Sequence, residues 1–258
     1  MGGALLQGWL EKGYAAHGIC VIEHSEAATA QFDGIDGVTV VRDISDVPED
    51  FHPGMVMLAL KPQMMDAAAP LARYAGPETA FLSIAAGKTI QYFESLLGSD
   101  AAIIRSMPNT PAAVGRGITA YVGNKAASQA QMNLAGDLLS AVVEALEVPE
   151  EGMLDAVTAV SGSGPAYVFY VIEVMAAAGE KLGLPADLAM RLASATVSGA
   201  GELARQSSEP AAQLRQNVTS PGGTTAEALK VLMADDGIGP VFEKALKAAA
   251  DRSRELAG

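Results

Sequence analysis

From Val218 to Leu229 the chain reads Val-Thr-Ser-Pro-Gly-Gly-Thr-Thr-Ala-Glu-Ala-Leu, and of all its segments this one is best suited to hold an anion. Gly222 and Gly223 lie between hydroxyl residues and make a tight turn whose backbone N–H groups are open to a ligand. A helix is expected directly after the turn, from Thr224 onward. Its first N–H groups lack intrahelical partners and carry the positive end of the helix dipole. A carboxylate suits such a turn. The same residues also satisfy an ordinary helix start with Thr224 or Thr225 as N-cap.

Other segments combine small, rigid and polar residues. Ser161-Gly162-Ser163-Gly164-Pro165-Ala166-Tyr167 reads either as a loop with a proline helix start or as a small-residue wall against a ligand. Arg105-Ser106-Met107-Pro108-Asn109-Thr110-Pro111 brackets an Asn-Thr pair between prolines at a strand end. Leu58-Ala59-Leu60-Lys61-Pro62 and Ser83-Ile84-Ala85-Ala86-Gly87 are strand ends of the same kind. Ligands of open parallel sheets bind at such ends, so the three imply one shared crevice.

The elements that must position these groups follow from periodicity. Ala4–Lys12 reads as a helix. Ile19–Glu23, Val38–Arg42, Met55–Leu60 and Ala80–Ile84 read as strands, and Pro70–Tyr74 continues a helical stretch. Further strands are expected at Ile103–Arg105 and Ile118–Val122, and a helix at Gln129–Ala145. This is the rhythm of βαβ units around a parallel sheet. From Met153 on, only helical periodicity remains. The stretch Ala166–Ala178 is apolar almost all round, which argues for burial against a second subunit. Further helices are expected from Pro185 to Arg205, after Thr224, and from Pro240 to Leu256.

Composition narrows the function classes. The 258 residues carry a net charge of −13 with no basic cluster, which disfavours nucleic acid. Cys20 is the one cysteine, so no intrachain disulfide forms, as suits a reducing cytoplasm. No signal peptide and no span of about 20 apolar residues is evident. The three histidines (His17, His24 and His52) and the lone cysteine give no metal-ligand spacing. Neither a Gly-x-Ser-x-Gly elbow nor a Walker motif occurs. Hydride transfer needs none of these residues, because a cofactor supplies the reactive group.

Taken in order, the segments resemble pyrroline-5-carboxylate reductases. The stretch 218–229, supported by Leu214-Arg215, is similar to that family's signature, and 155–169, 105–117, 58–62 and 83–90 match its other landmarks in sequence. The resemblance implies an α/β fold: a Rossmann-type parallel-sheet domain over 1–150, then an all-helical dimerisation and substrate domain over 151–258. It further implies self-association as a dimer, with a decamer as a larger assembly, and no membrane partner. The family opens with a strand and a glycine loop that holds a diphosphate. Met1-Gly2-Gly3-Ala4 resembles only the tail of that loop, so the first strand is expected to be missing.

The activity implied is NAD(P)H-dependent reduction of 1-pyrroline-5-carboxylate, a cyclic imine carboxylate, to L-proline. The resemblance assigns the substrate to Asn217, Ser220, Gly222, Gly223, Thr224 and Thr225, with Thr225 as catalytic hydroxyl. It assigns NADPH or NADH to Met1, Gly2, Glu23, His24, Ser25, Ala59, Leu60, Lys61, Pro62, Ala85, Ala86, Gly87, Asn109, Thr110 and Pro111. Glu23 ends a strand where an acidic residue bonds the ribose hydroxyls and favours NADH, whereas His24 and Ser25 could accept a 2′-phosphate. Two alternatives stay open: a 3-hydroxy-acid dehydrogenase with Lys181 as base, and a non-catalytic dinucleotide-binding protein.

Overall fold

The structure is a computed structural model and describes residues 1–257. The chain forms helix α1 (Gly2–Glu11), strand β1 (Ile19–Ile22), the short helix α2 (Glu26–Thr29), β2 (Val38–Val41), β3 (Met55–Leu58) and a run of 3-10 turns over Pro62–Tyr74. Next come β4 (Ala80–Ser83), α3 (Ile90–Leu97), β5 (Ala102–Met107), β6 (Ile118–Gly123), α4 (Gln129–Ser140) and β7 (Glu144–Glu147). Helices α5 (Met153–Val157), α6 (Gly164–Lys181), α7 (Ala186–Gln206), α8 (Ala211–Asn217), α9 (Thr224–Leu232) and α10 (Ile238–Ala257) complete the chain, with a π-turn at Thr158–Gly162 between α5 and α6.

The strands form two sheets. β1 and β2 pair in parallel as a ladder of their own, and β3-β4-β5-β6-β7 form a five-stranded sheet. Within the larger sheet β3, β4 and β5 run parallel, and so do β6 and β7. β6 is antiparallel to β5, so one pairing of the otherwise parallel sheet is reversed. Ten residues join β5 to β6, and they are bent by Pro108 and Pro111. A parallel crossover needs a dozen or more residues, usually with a helix.

Burial follows strand position. β4 is buried along its whole length and β5 along all but its last residue, as suits the sheet centre. One face packs Leu82, Ile104 and Tyr121 against Leu5, Met132, Ala135 and Leu139, so α1 and α4 cover it. Trp9 ties those two helices together by donating from its indole N–H to the Leu138 carbonyl at 2.8 Å. The other face packs Leu58, Phe81 and Ile103 against Met65, Ala68, Phe93 and Leu97.

By packing, Met1–Gly162 and the residues from Ala250 onward form one compact unit, and Ser163–Ala249 form a second. The division falls later than residue 150 for a physical reason. Leu154 of α5 is fully buried against Ala120 and Val122 of β6, which keeps α5 with the sheet. The Ser253 hydroxyl also donates to Asp155 at 2.6 Å, so the last turns of α10 join the first unit. In the second unit α6 and α7 pack through Ala176, Ala189 and Ala193. Elsewhere α6 shows large apolar groups to solvent: Phe169 is 60% exposed and Tyr170 64%.

Candidate active site

In the first unit, three of the segments singled out lie side by side. Ala59–Pro62 follow β3, Ala85–Gly87 follow β4 and Asn109–Pro111 follow β5, all at carboxyl ends of neighbouring parallel strands. Three contacts fix these ends. The Ser106 hydroxyl donates to the Ser83 carbonyl at 2.8 Å, and the Ala85 N–H donates to the Ser83 hydroxyl at 3.2 Å. The Asn109 side-chain oxygen accepts from the Ile118 N–H at 3.0 Å, which pins the two-proline turn to the start of β6. Asn109 is therefore committed to the fold through its oxygen, and Ala85 through burial. Ala59, Leu60, Lys61, Ala86 and Thr110 are exposed at the same rim. Gly87 has φ +72°, a left-handed conformation that glycine adopts without strain, and a Cβ there would lie 3.4 Å from Leu256.

Helix α1 begins at Gly2, two residues earlier than its periodicity predicts, with Met1 as N-cap and no side-chain cap. Its first N–H groups are thus left without a capping side chain. The helix start lies against the end of β3, since a Cβ on Gly2 would come 2.9 Å from that of Ala59. Glu23, His24 and Ser25 follow β1 at the carboxyl end of the smaller ladder. The Glu23 N–H bonds the Val41 carbonyl at 3.1 Å, and its carboxylate accepts from the Ser25 N–H at 3.0 Å.

In the second unit, Gly222 has φ +70° and the Gly223 N–H donates to the Ser220 carbonyl at 3.0 Å, closing the turn. A side chain at Gly223 would come 3.1 Å from that carbonyl oxygen. Gly223, not Thr224 or Thr225, is the N-cap of α9, and no side chain caps the helix. Both threonine hydroxyls thereby stay out of capping, and the first N–H groups of α9 remain available. Asn217 lies apart from this arrangement. Its side chain donates to Glu209 and accepts from Gln213, both at 2.8 Å, which braces α8.

Two features escaped the sequence reading. Arg105 is buried in β5 and pairs with Glu151 at 2.8 Å, and the same carboxylate oxygen accepts the Ile90 N–H at 2.8 Å. An arginine inside the apolar run Ile-Ile-Arg-Ser-Met was the signal for it. The second is the π-turn through Ser161 and Gly162. A Cβ on Gly162 would come 2.4 Å from the Met107 side chain, so this glycine serves packing against β5. The Ser161 hydroxyl is buried without a partner among the described residues. Among them no group of His, Cys, Asp and Glu is arranged to hold a metal ion.

A family model described as pyrroline-5-carboxylate reductase dimerisation matches residues 151–256. A pyrroline-5-carboxylate reductase of Pseudomonas aeruginosa is 41% identical over 258 residues, covering 100% of this chain and 93% of that protein. The chain belongs to the pyrroline-5-carboxylate reductase family. The Synechocystis reductase is 42% identical over 249 residues, covering 95% of this chain and 90% of its own length. Among solved structures, a pyrroline-5-carboxylate reductase of Coxiella burnetii superposes with a TM-score of 0.90 at 35% identity, covering 99% of this chain and 94% of that one. The Plasmodium falciparum enzyme, solved with NADP bound, gives 0.77 at 28% identity, covering 100% and 96%. The fold is accordingly a Rossmann-like α/β domain followed by the helical dimerisation domain of that family.

Proposed function

We propose that this protein reduces 1-pyrroline-5-carboxylate to L-proline with NADPH or NADH, in the cytoplasm and as a self-associated assembly. The observation that carries the proposal is the turn 220–225: a glycine-built kink that leaves the N-terminus of α9 without a side-chain cap, in a chain of this family.

The donors present fit a dinucleotide. α1 starts on Gly2 and Gly3 with neither a side-chain cap nor an acidic residue in its first turn, the setting a diphosphate needs. Glu23 stands where ribose hydroxyls are bonded. The reduced nicotinamide, when bound, supplies the hydride. The chain's own residues orient the acceptor and handle the proton. N–H groups of Thr224 and Thr225 hold the substrate carboxylate by charge-assisted bonds, which are stronger than neutral ones, while the Gly223 N–H closes the turn onto Ser220. Ser220 and Gly222 shape the turn. The Thr225 hydroxyl bonds the ring nitrogen and orients the C=N bond. Reduction adds one hydride to carbon and one proton to nitrogen, and a hydroxyl at the nitrogen can relay that proton. Holding the acceptor in line can remove about 7–11 kcal/mol of barrier at best.

The test is consumption of NADPH or NADH on addition of the imine, with proline as product. Thr225→Ala should lower kcat by about 10²-fold. An unchanged kcat removes Thr225 from the mechanism, and turnover of 3-hydroxy acids but not of the imine removes the proposal.

A further inference from the structure

Resting on the reductase reading, we infer that Glu23 makes the nucleotide site selective for NADH over NADPH, because its carboxylate fills the place a 2′-phosphate would need. A turn after a Rossmann strand can receive that phosphate through its backbone N–H groups, its hydroxyl and a nearby cation. The Ser25 N–H and hydroxyl are already committed here. The Ser25 N–H donates to Glu23 at 3.0 Å, and the Ser25 hydroxyl accepts from the Ala28 N–H at 3.4 Å. Helix α2 has only four residues and offers no useful dipole.

Two arginines near the turn are anchored by neutral groups, which hold them in place and leave their charge intact. Nη1 of Arg42 donates to the Glu23 carbonyl at 3.1 Å and to the Thr29 hydroxyl at 2.9 Å, and Thr29 is buried. Nη2 of Arg73 donates to the Ile44 carbonyl at 2.9 Å and to the Tyr74 hydroxyl at 2.7 Å. The remaining charges are mostly negative. Glu26 opens α2, and Asp43 follows β2. Bonds from Ser45, with His24 nearby, hold the Asp43 carboxyl below the usual carboxylate range, so it stays charged. Arg42, whose charge its neutral partners leave intact, and His24 are the groups that could favour a phosphate, against the carboxylates of Glu23, Glu26 and Asp43.

A 2′-phosphate brings two negative charges to a turn already holding a carboxylate. A free ribose brings two hydroxyls, which donate to that carboxylate. Repulsion between a dianion and a carboxylate a few ångströms apart, even in high dielectric, amounts to about tenfold or more in affinity.

Titration of the full chain with NADH and with NADPH, followed by nucleotide fluorescence, reads the preference without any turnover. The wild type should bind NADH about tenfold or more tightly. Glu23→Gln keeps an acceptor for the Ser25 N–H and removes the charge, so it should narrow the ratio. Glu23→Ser also frees that N–H and should erase or reverse the ratio. A wild type that binds NADPH as tightly as NADH overturns the inference, and so does a wild-type ratio retained by Glu23→Ser. NADH binding without imine reduction would sink the reductase reading alone; failure to bind either nucleotide would sink both.

Discussion

Replacing Glu151 offers the sharpest check on how the strand ends are held. Arg105 has a side chain 6% exposed, and its partner Glu151 is 31% exposed. Removing one member of a buried pair typically costs ~3–5 kcal/mol, because a charge is left without compensation. Glu151 is partly solvated, so water screens part of that loss and ~2 kcal/mol is the reasonable share. The Ile90 N–H at the start of α3 also loses its acceptor, which adds ~1 kcal/mol. Glu151→Ala should therefore cost about 3 kcal/mol. Glu151→Gln keeps an acceptor for Ile90 and should cost about half as much. Arg105→Met should cost under ~1 kcal/mol, since an apolar side chain of similar length refills the space and Glu151 is free to reach water. In thermal melts at fixed protein concentration, ~3 kcal/mol corresponds to a Tm drop of about 6–12 °C for a chain of this size. The reasoning is refuted if Arg105→Met destabilises as much as Glu151→Ala, or if Glu151→Ala melts with the wild type.

Two further outcomes concern pH and assembly. Burial, with Asp66 as hydrogen-bond partner, pushes the Tyr92 phenol up to about 12 from an ordinary 10. A raised folded value means that this stability is complete below pH 10 and is lost as pH climbs from 10 to about 12. Tyr92→Phe should flatten that part of a stability-versus-pH curve, and a curve of unchanged steepness would exclude Tyr92 as its source. Phe169→Asp and Tyr170→Asp place charges on the exposed apolar face of α6. Both should shift the chain towards monomer in sedimentation at micromolar concentration, and an unaltered mass would place the subunit contact elsewhere.

Much of this was legible in the sequence because the strongest signals are local. The apolar runs of β4 and β5 match the burial of all their residues but Met107, and Pro165 and Gly183 bracket α6 within two residues. The missed elements have particular causes. Glu144–Glu147 continues the helical pattern of α4, since Glu, Ala and Leu are good helix formers. It is nevertheless a strand, because pairing with Ile118–Tyr121 outweighs that weak preference. Helix α8, seven residues long, was too short to stand out beside the motif that follows it. At the site, the glycine turn was plain from residue types, but the identity of the N-cap was not. Gly223 and Thr224 both suit that position, and only the backbone decides between them. Commitments such as Asn217 to Glu209, or Arg42 to Thr29, depend on side-chain directions that spacing does not reveal.

The separateness of the two ladders bears on how the protein would register its cofactor. β1 and β2 share no backbone hydrogen bond with the five-stranded sheet, and their side chains are only half-buried or exposed. Their amides should open to deuterium on their own schedule, well before those of β4 and β5. A nucleotide whose ribose rests on Glu23 would tighten the looser ladder and leave the slower-exchanging centre unmoved. The pattern of slowed exchange would then show which end of the cofactor the smaller ladder grips.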